Sequence, residues 1–442
     1  MIVPRPRLLV WVGLLVVPAA LLSAAGPRAA VTAAAATGAF AALVVIDAIL
    51  APRRLRGLAV EFPETVRATL DREGTFEIRL RNPAGRARRI RIGLLFPPEI
   101  DTADREKPVD LPPAAPLVGL VWSCRPRRRG RSVLAGGVIE CGSPLGFWGA
   151  RRRVAGGTEF RVYPNPLRER QGVAAVLMRR PLAGMHARRQ VGRGREFEKL
   201  REYVPGDSPE DIHWKATARR GRPITRVYQV ERTQEVYLVI DGSRLSARLS
   251  GDPPAPAIER FVSAALVMAL ATEQQGDLFG LVAFSDRVQR FVRARRGRAH
   301  FDACREALLG LQPGAAAPDF EDFASFVRLR LRRRALLIIL TDLGDPVLAE
   351  EFLRALDLVR RQHLVLVGML RPAPARPLFT GPLPADVGEI YARLGGHLAW
   401  HDLRELARTL QLRGTGLAIV DHETLSAEIV ARYLAVKQRQ LL

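Results

Sequence analysis

The sequence predicts a multidomain chain: an N-terminal transmembrane helical hairpin, a β-sandwich-like middle domain and a C-terminal doubly wound α/β domain. Three patterns predict it. Two uncharged apolar runs stand near the N-terminus, short alternating segments broken by Pro and Gly follow, and after Glu235 the chain alternates strand with helix. The implied boundaries are 1–56 for the hairpin, 57–166 for the β-rich region, 167–233 for a linker and joint, and 234–442 for the α/β domain. At 442 residues with 48% hydrophobic content, the chain is long and apolar enough for several packed cores.

The first apolar run spans Leu8 to Ala25. After "GPR" a second begins at Ala29 and reaches about residue 50, and each is the length needed to cross a bilayer. Arg5 and Arg7 flank one outer end and Arg53, Arg54 and Arg56 the other, against Arg28 alone in the turn. That asymmetry puts both outer ends, and the bulk of the chain, in the cytoplasm at a bacterial inner membrane. A cleaved signal peptide is the competing reading, because Arg5 and Arg7 precede an apolar run that ends in small residues. Asp47 is expected at the water interface of the second helix.

In the middle region, "TFEIRLRN" (Thr75 to Asn82) and "RRIRIGLLF" (Arg88 to Phe96) alternate apolar and polar, so each strand should bury one face. In the last region, "EVYLVID", "LFGLVAF", "ALLIILTD", "HLVLVGML" and "GLAIVD" are short apolar runs of the kind buried in parallel sheets. "AIERFVSAALVMALATEQ" and "VLAEEFLRALDLVRRQ" supply helical crossovers, and "RVQRFVRA" reads as an edge strand.

Composition removes several function classes. The balance of 68 basic against 45 acidic residues gives +23, yet the charge is Arg spread over the whole chain, without an aromatic-studded basic strand. No nucleic-acid partner is therefore expected. Cys124, Cys141 and Cys304 form no CxxC pair, which excludes a zinc ribbon or a disulfide framework and suits a reducing compartment. There is no HExxH, GxGxxG or GxxxxGK[ST].

Asp241 in "VIDGSRLS" and Asp342 in "LTDLGD" end predicted parallel strands, where open α/β sheets bind ligands. Two carboxylates and a hydroxyl are suitable ligands for a hard cation such as Mg²⁺. These motifs resemble a von Willebrand factor A domain, whose metal site uses D-x-S-x-S, a later Thr and a later Asp. The resemblance implies metal ligands at Asp241, Ser243 and Asp342. Leu245 replaces the second Ser, with Ser246 adjacent, and "GAAAPDFEDF" lacks the Thr, so little or no Mg²⁺ affinity is expected. Arg244 and Ser246 are then expected to present the rim to a partner largely without metal.

The stretch "LREYVPGDSPEDIHWKATARR" mixes acids, His, Lys, Trp and a Pro-Gly turn, and invites an active-site reading. It contains no nucleophile paired with a base and no oxyanion-stabilising elbow, so a structural joint explains it better. Within the longer segment from Gly194, the residues Glu196, Phe197, Leu200, Arg201, Tyr203, Pro205, Gly206, Asp207, Ile212, Trp214, Thr217, Ala218, Arg219, Glu231 and Arg232 resemble the signature of the bacterial membrane-associated family called domain of unknown function 58. Trp214, with Lys215 and Arg219 at helical spacing beside it, is expected to dock in a buried, salt-bridged joint. Members of that family are associated with MoxR-type AAA+ ATPases. The resemblance thus implies a non-enzymatic adaptor that works with such an ATPase and an unidentified client. The alternatives are an enzyme acting on a cell-envelope precursor through residues 196–219, and a purely structural membrane anchor.

Overall fold

The computed structural model describes residues 1–24, 26–83, 88–113, 116–165, 191–204, 209–229, 234–251, 254–380, 384 and 386–439. It separates into two compact units, Met1–Asn165 and Pro166–Leu442.

The first unit begins with strand β1 (Ile2–Pro4), followed by helices α1 (Pro6–Ser23) and α2 (Pro27–Leu50). Each helix has Pro in its first turn, where the missing N–H costs nothing. Both are long and apolar enough to cross a membrane, and Leu9, Leu14, Leu21, Val31, Leu43 and Ile49 point away from the protein. Nine strands follow: β2 (Ala59–Glu61), β3 (Thr65–Thr69), β4 (Gly74–Arg81), β5 (Arg88–Leu94), β6 (Ile100–Asp101), β7 (Glu106–Leu111), β8 (Leu117–Pro126), β9 (Gly130–Gly142) and β10 (Trp148–Tyr163), of which β4 and β5 alternate buried and exposed residues. Among the described residues they form two sheets, ordered β1-β10-β9-β5-β7 with β3 beside β10, and β2-β4-β8-β6. Phe76, Ile78 and Leu80 of β4 and Ile90, Ile92 and Leu94 of β5 are buried, and they share one core with Trp122, Leu134 and Phe160. Each such side chain contributes about 1.5–3 kcal/mol on leaving water.

The carboxyl end of helix α2 is tied to this core. Ala51, Leu55 and Leu58, just past its end, are buried with the strands, and the Arg88 and Arg152 side chains donate to the carbonyls of Arg54 and Leu58. Asp47 is not open to water as expected but wholly buried in the protein: it accepts from Ser143 Oγ at 2.5 Å, Leu145 N at 3.0 Å and Phe147 N at 3.2 Å. Ahead of α1, β1 pairs antiparallel with β10, and Arg5 pairs with Glu140 at 3.0 Å. Both outer ends of the hairpin therefore meet the same β structure.

In the second unit, β11 (Val191–Glu202) pairs antiparallel with β12 (Ile224–Gln229), and the short helix α3 (Trp214–Arg220) lies between them. The α/β part follows. Its strands are β13 (Glu235–Asp241), the short pair β14 (Leu249–Ser250) and β15 (Ala255–Pro256), β16 (Leu278–Phe284), β17 (Val288–Arg295), β18 (Leu336–Leu340), β19 (Leu364–Leu370) and β20 (Gly416–Val420). Its helices are α4 (Ala257–Gln274), α5 (Arg298–Leu309), α6 (Phe320–Arg330), α7 (Pro346–Val359), α8 (Val387–Leu412) and α9 (Leu425–Gln438). The main sheet runs β17-β16-β13-β18-β19-β20, all parallel except β17, which stands antiparallel at the edge as its alternation implies. The chain winds outward from β13 to β17, then returns to the other side of β13 at β18, which is the doubly wound order. Separate apolar cores cover the two faces.

Cys124, Cys141 and Cys304 are buried and unpaired with one another, and burial pushes the Cys124 and Cys304 thiols up to about 11 and about 12. Such thiols are packing groups rather than nucleophiles.

Candidate functional site

The chain order reverses between β13 and β18, and the crevice at the carboxyl ends of these neighbours is where such sheets place ligands. Asp241, at the end of β13, is fully buried. Its Oδ1 accepts from Ser243 N at 2.8 Å, and its Oδ2 accepts from Thr341 Oγ1 at 2.7 Å. Burial raises the Asp241 carboxyl above its ordinary range; the Ser243 and Thr341 bonds oppose that shift, and nearby Asp342 reinforces it.

Ser243 caps a single 3₁₀ turn, Arg244–Ala247, with its hydroxyl accepting from Leu245 N at 3.3 Å. Asp342 accepts from Gly344 N at 2.9 Å through Oδ1, while its Oδ2 meets Arg248 Nη1 at 2.6 Å. The structure thus brings Asp241, Ser243 and Asp342 together, and adds Thr341 and Arg248, which sequence reasoning missed. Thr341 directly precedes Asp342, so its hydroxyl was the available signal. Arg248 lies seven positions past Asp241 and carries no such mark.

Ser246 does not belong to the exposed rim. It is buried, and its hydroxyl donates to the Ser243 carbonyl at 2.7 Å, because the tight turn folds that side chain back on its own backbone. Arg244 is exposed, with its N–H donating to Ala316 O at 2.9 Å. Asp319, another conceivable ligand, caps α6 by accepting from Glu321 N and Asp322 N.

These groups do not fit a divalent cation. A hard cation needs open oxygen ligands, whereas a guanidinium already holds Asp342, and the Asp241 carboxylate oxygens take donors from the protein. Among the described residues, no group of three or more His, Cys, Asp or Glu could hold a metal ion. Further along the same carboxyl side, a groove of about 370 Å³ is lined by Arg371, Pro372, Arg376, Thr380 and Asp421, with Arg371 and Asp421 3.4 Å apart. Ser250 Oγ and His422 Nδ1 lie 2.8 Å apart. Burial and then Arg260 lower the imidazole to about 4, which makes it a weak base for activating that hydroxyl.

Within its own unit, the stretch around α3 is exposed where a buried anchor is expected. None of the α3 residues is buried, Trp214 is 69% exposed, and Lys215 and Arg219 face solvent. Seven residues make only two turns, and the inward positions fall to Ala216 and Thr217, leaving the indole at the first position pointing out. Thr217 Oγ1 accepts from Ile224 N at 3.0 Å, and Gly221, at φ 66°, ends the helix in the left-handed conformation that glycine tolerates. Tyr203 is partly exposed and donates its N–H to Pro223 O. Arg201 is half-buried and donates to Glu202 O, and Arg222 meets Glu202 at 2.6 Å with both side chains exposed. Pro205, Gly206, Asp207, Glu231 and Arg232 lie outside the described residues, as does the side chain of Glu196.

Comparison with known proteins gives one family match. The model for "Protein of unknown function DUF58" matches residues 199–378. The uncharacterized proteins Rv1480 of Mycobacterium tuberculosis (strain ATCC 25618 / H37Rv) and Mb1516 of Mycobacterium bovis are each 27% identical over 213 residues. Those matches cover 47% of this chain, and the chain spans 63% of each relative's length. Among solved structures, BatB from Bacteroides thetaiotaomicron aligns at 13% identity with a TM-score of 0.28, covering 47% of this chain and 99% of that one. An aerotolerance-related membrane protein from Bacteroides fragilis aligns at 14% identity with a TM-score of 0.30, over the same shares.

Proposed function

We propose, for a chain whose residues 199–378 match the DUF58 family model, that it is a membrane-tethered, non-enzymatic adaptor. Its α/β rim recruits a protein partner through arginines instead of a bound metal. One observation carries this reading: the positive charge beside Asp342 is the Arg248 guanidinium, 52% exposed and able to share itself with an incoming carboxylate. Arg244, Arg371 and Arg376 extend the basic character along the same carboxyl side of the sheet, which suits an acidic segment. The arginines flanking the apolar hairpin favour a cytoplasmic position for this rim. Within the family resemblance, the partner is a MoxR-type AAA+ ATPase or its client.

The test uses the full chain in lipid nanodiscs and a MoxR-type ATPase from the same cell. Binding should weaken about tenfold or more in the double variant Arg244→Glu/Arg376→Glu, weaken with added salt and ignore chelator. Binding that survives both charge reversals would move the interface elsewhere. Failure to bind any such ATPase would remove the adaptor reading, and turnover of a cell-envelope precursor lost in Asp207→Ala would replace it with the enzyme.

A further inference from the structure

The loop between β9 and β10, Ser143–Phe147, closes around the end of α2. Besides the three bonds to Asp47, Trp148 Nε1 donates to the Val44 carbonyl at 2.9 Å, and the rings of Phe147 and Phe40 meet edge to face at 5.8 Å. The loop therefore reaches back along a helix that is itself apolar enough to span a bilayer.

Length determines where that reach ends. At 1.5 Å per residue, Asp47 lies about 30 Å along α2 from Pro27, which matches the hydrocarbon thickness of a bilayer. Val44 is then about 5 Å, and Phe40 about 10 Å, inside the boundary that Asp47 marks. A loop whose Phe147, with the Trp148 that follows it, touches both residues cannot stay wholly in water if α2 spans.

Lipid tolerates irregular backbone only when its polar groups are satisfied within the protein. On the donor side, every N–H of this loop has a partner within the protein. Ser143 N donates to Trp148 O, Gly146 N to Ser143 O, Leu145 N and Phe147 N to Asp47, and Trp148 N to Ser143 Oγ; Pro144 has no N–H. The side chains turned outward are apolar: Pro144 is exposed and Leu145 is 49% exposed. Arg7, Arg53 and Arg56 stand exposed at the same two helix ends, at the level of lipid phosphates.

We propose that the Ser143–Phe147 loop is a membrane-inserted wedge, with Pro144 and Leu145 in the acyl boundary of the leaflet that faces the β structure. Asp47 is the positioning residue that holds the wedge against α2. The hairpin then fixes the attitude of the β structure on the bilayer instead of acting as a loose leash. This inference rests on the hairpin spanning the membrane, not on any partner.

The experiment uses the full chain in nanodiscs of phosphatidylcholine and phosphatidylglycerol, with an environment-sensitive fluorophore on one introduced thiol. The native thiols are buried, so labelling is confined to the introduced one, with mass as the check. Leu145→Cys tests the wedge, Leu14→Cys tests the span of α1, and Val133→Cys, on β9 about 30 Å from the loop, reports water. The expected result is blue-shifted emission at 145 and 14, falling by about half or more at 145 with lipids brominated near the headgroup and at 14 with lipids brominated near the chain ends, and neither at 133. If 145 behaves like 133 while 14 is quenched, the hairpin spans but the wedge is wrong. If 14 also reads water, the membrane reading falls and takes the wedge with it.

Discussion

Replacing Asp241 by Asn separates a carboxylate kept to hold a cation from one kept to organise the rim. The structure supplies the magnitudes. Asp241 accepts two protein hydrogen bonds, from Ser243 N and Thr341 Oγ1, and is fully buried. An Asn keeps one oxygen for Ser243 N and turns its amide toward Thr341, whose hydroxyl rotates to accept. Exchanging two charge-assisted bonds for neutral ones costs about 1 kcal/mol each. Against that, the substitution removes a buried charge whose desolvation penalty is of similar size or larger. The net change at pH 7 should be within about 1 kcal/mol. Asp241→Leu strands both donors and should cost about 2–6 kcal/mol. The linkage sign gives a second readout. A carboxyl whose folded value is raised binds its proton more tightly in the folded state, so its contribution to stability falls as pH rises from the ordinary carboxylate value through the raised one. The wild-type protein should therefore gain on the Asn variant as the solution is acidified. Urea unfolding of the full chain in detergent, at pH 7 and pH 5, measures both effects. If Asn costs as much as Leu, or if Mg²⁺ raises the wild-type midpoint but not the variant's, the carboxylate holds a cation and the reasoning is refuted.

Two other sites give independent expectations. Asp277 is buried with its Oδ1 accepting from Gln234 N at 3.1 Å and its Oδ2 from Lys437 Nζ at 2.8 Å and from the Tyr433 hydroxyl. Asp277→Ala leaves a largely buried ammonium and a buried hydroxyl unmatched, and should cost about 3–5 kcal/mol in denaturant unfolding. His422 has its folded value depressed to about 4 from 6.5, so the stability it contributes is present above 6.5 and lost as pH falls toward 4. Because the ring is only partly buried, that loss should not exceed about 2 kcal/mol, and His422→Gln should flatten the stability profile within this window.

Much of the architecture could be read from period and length alone. The residues of "EVYLVID", "LFGLVAF" and "AIERFVSAALVMALATEQ" occupy β13, β16 and α4 with the same ends, because a buried parallel strand or an apolar helix declares itself in its own composition. Asp241, Ser243 and Asp342 were legible for a related reason: each sits at or just past the carboxyl end of such a strand. Contacts between distant segments were not. Nothing near Asp47 announces Ser143, 96 positions later, and nothing in "DGSRLSAR" marks Arg248 as the partner of Asp342, 94 positions away. Trp214 misled for a different reason. A large aromatic beside charged residues suggests an anchor, but in a helix of seven residues the burial of one position is decided by which turn meets β12, and that depends on the cap at His213.

On the proposed reading, a guanidinium at Asp342 in place of a metal sets what kind of partner the rim would hold. A cation bound between carboxylates offers a short, directional bond to an incoming acid, whereas an exposed guanidinium shared with Asp342 offers a second carboxylate a weaker bond that salt screens. One such contact is too weak to select a soluble partner. A hairpin that spans a bilayer would alter that balance, because tethering the α/β unit to the membrane would turn binding by anything else held there into a nearly intramolecular event with a high effective concentration. A partner that is itself at the membrane, or that presents several acidic copies at once, can therefore be retained by arginines that would not hold a single free copy. On this argument the tether belongs to the recognition mechanism, and releasing the α/β unit from its hairpin should abolish partner binding even though every rim residue is still present.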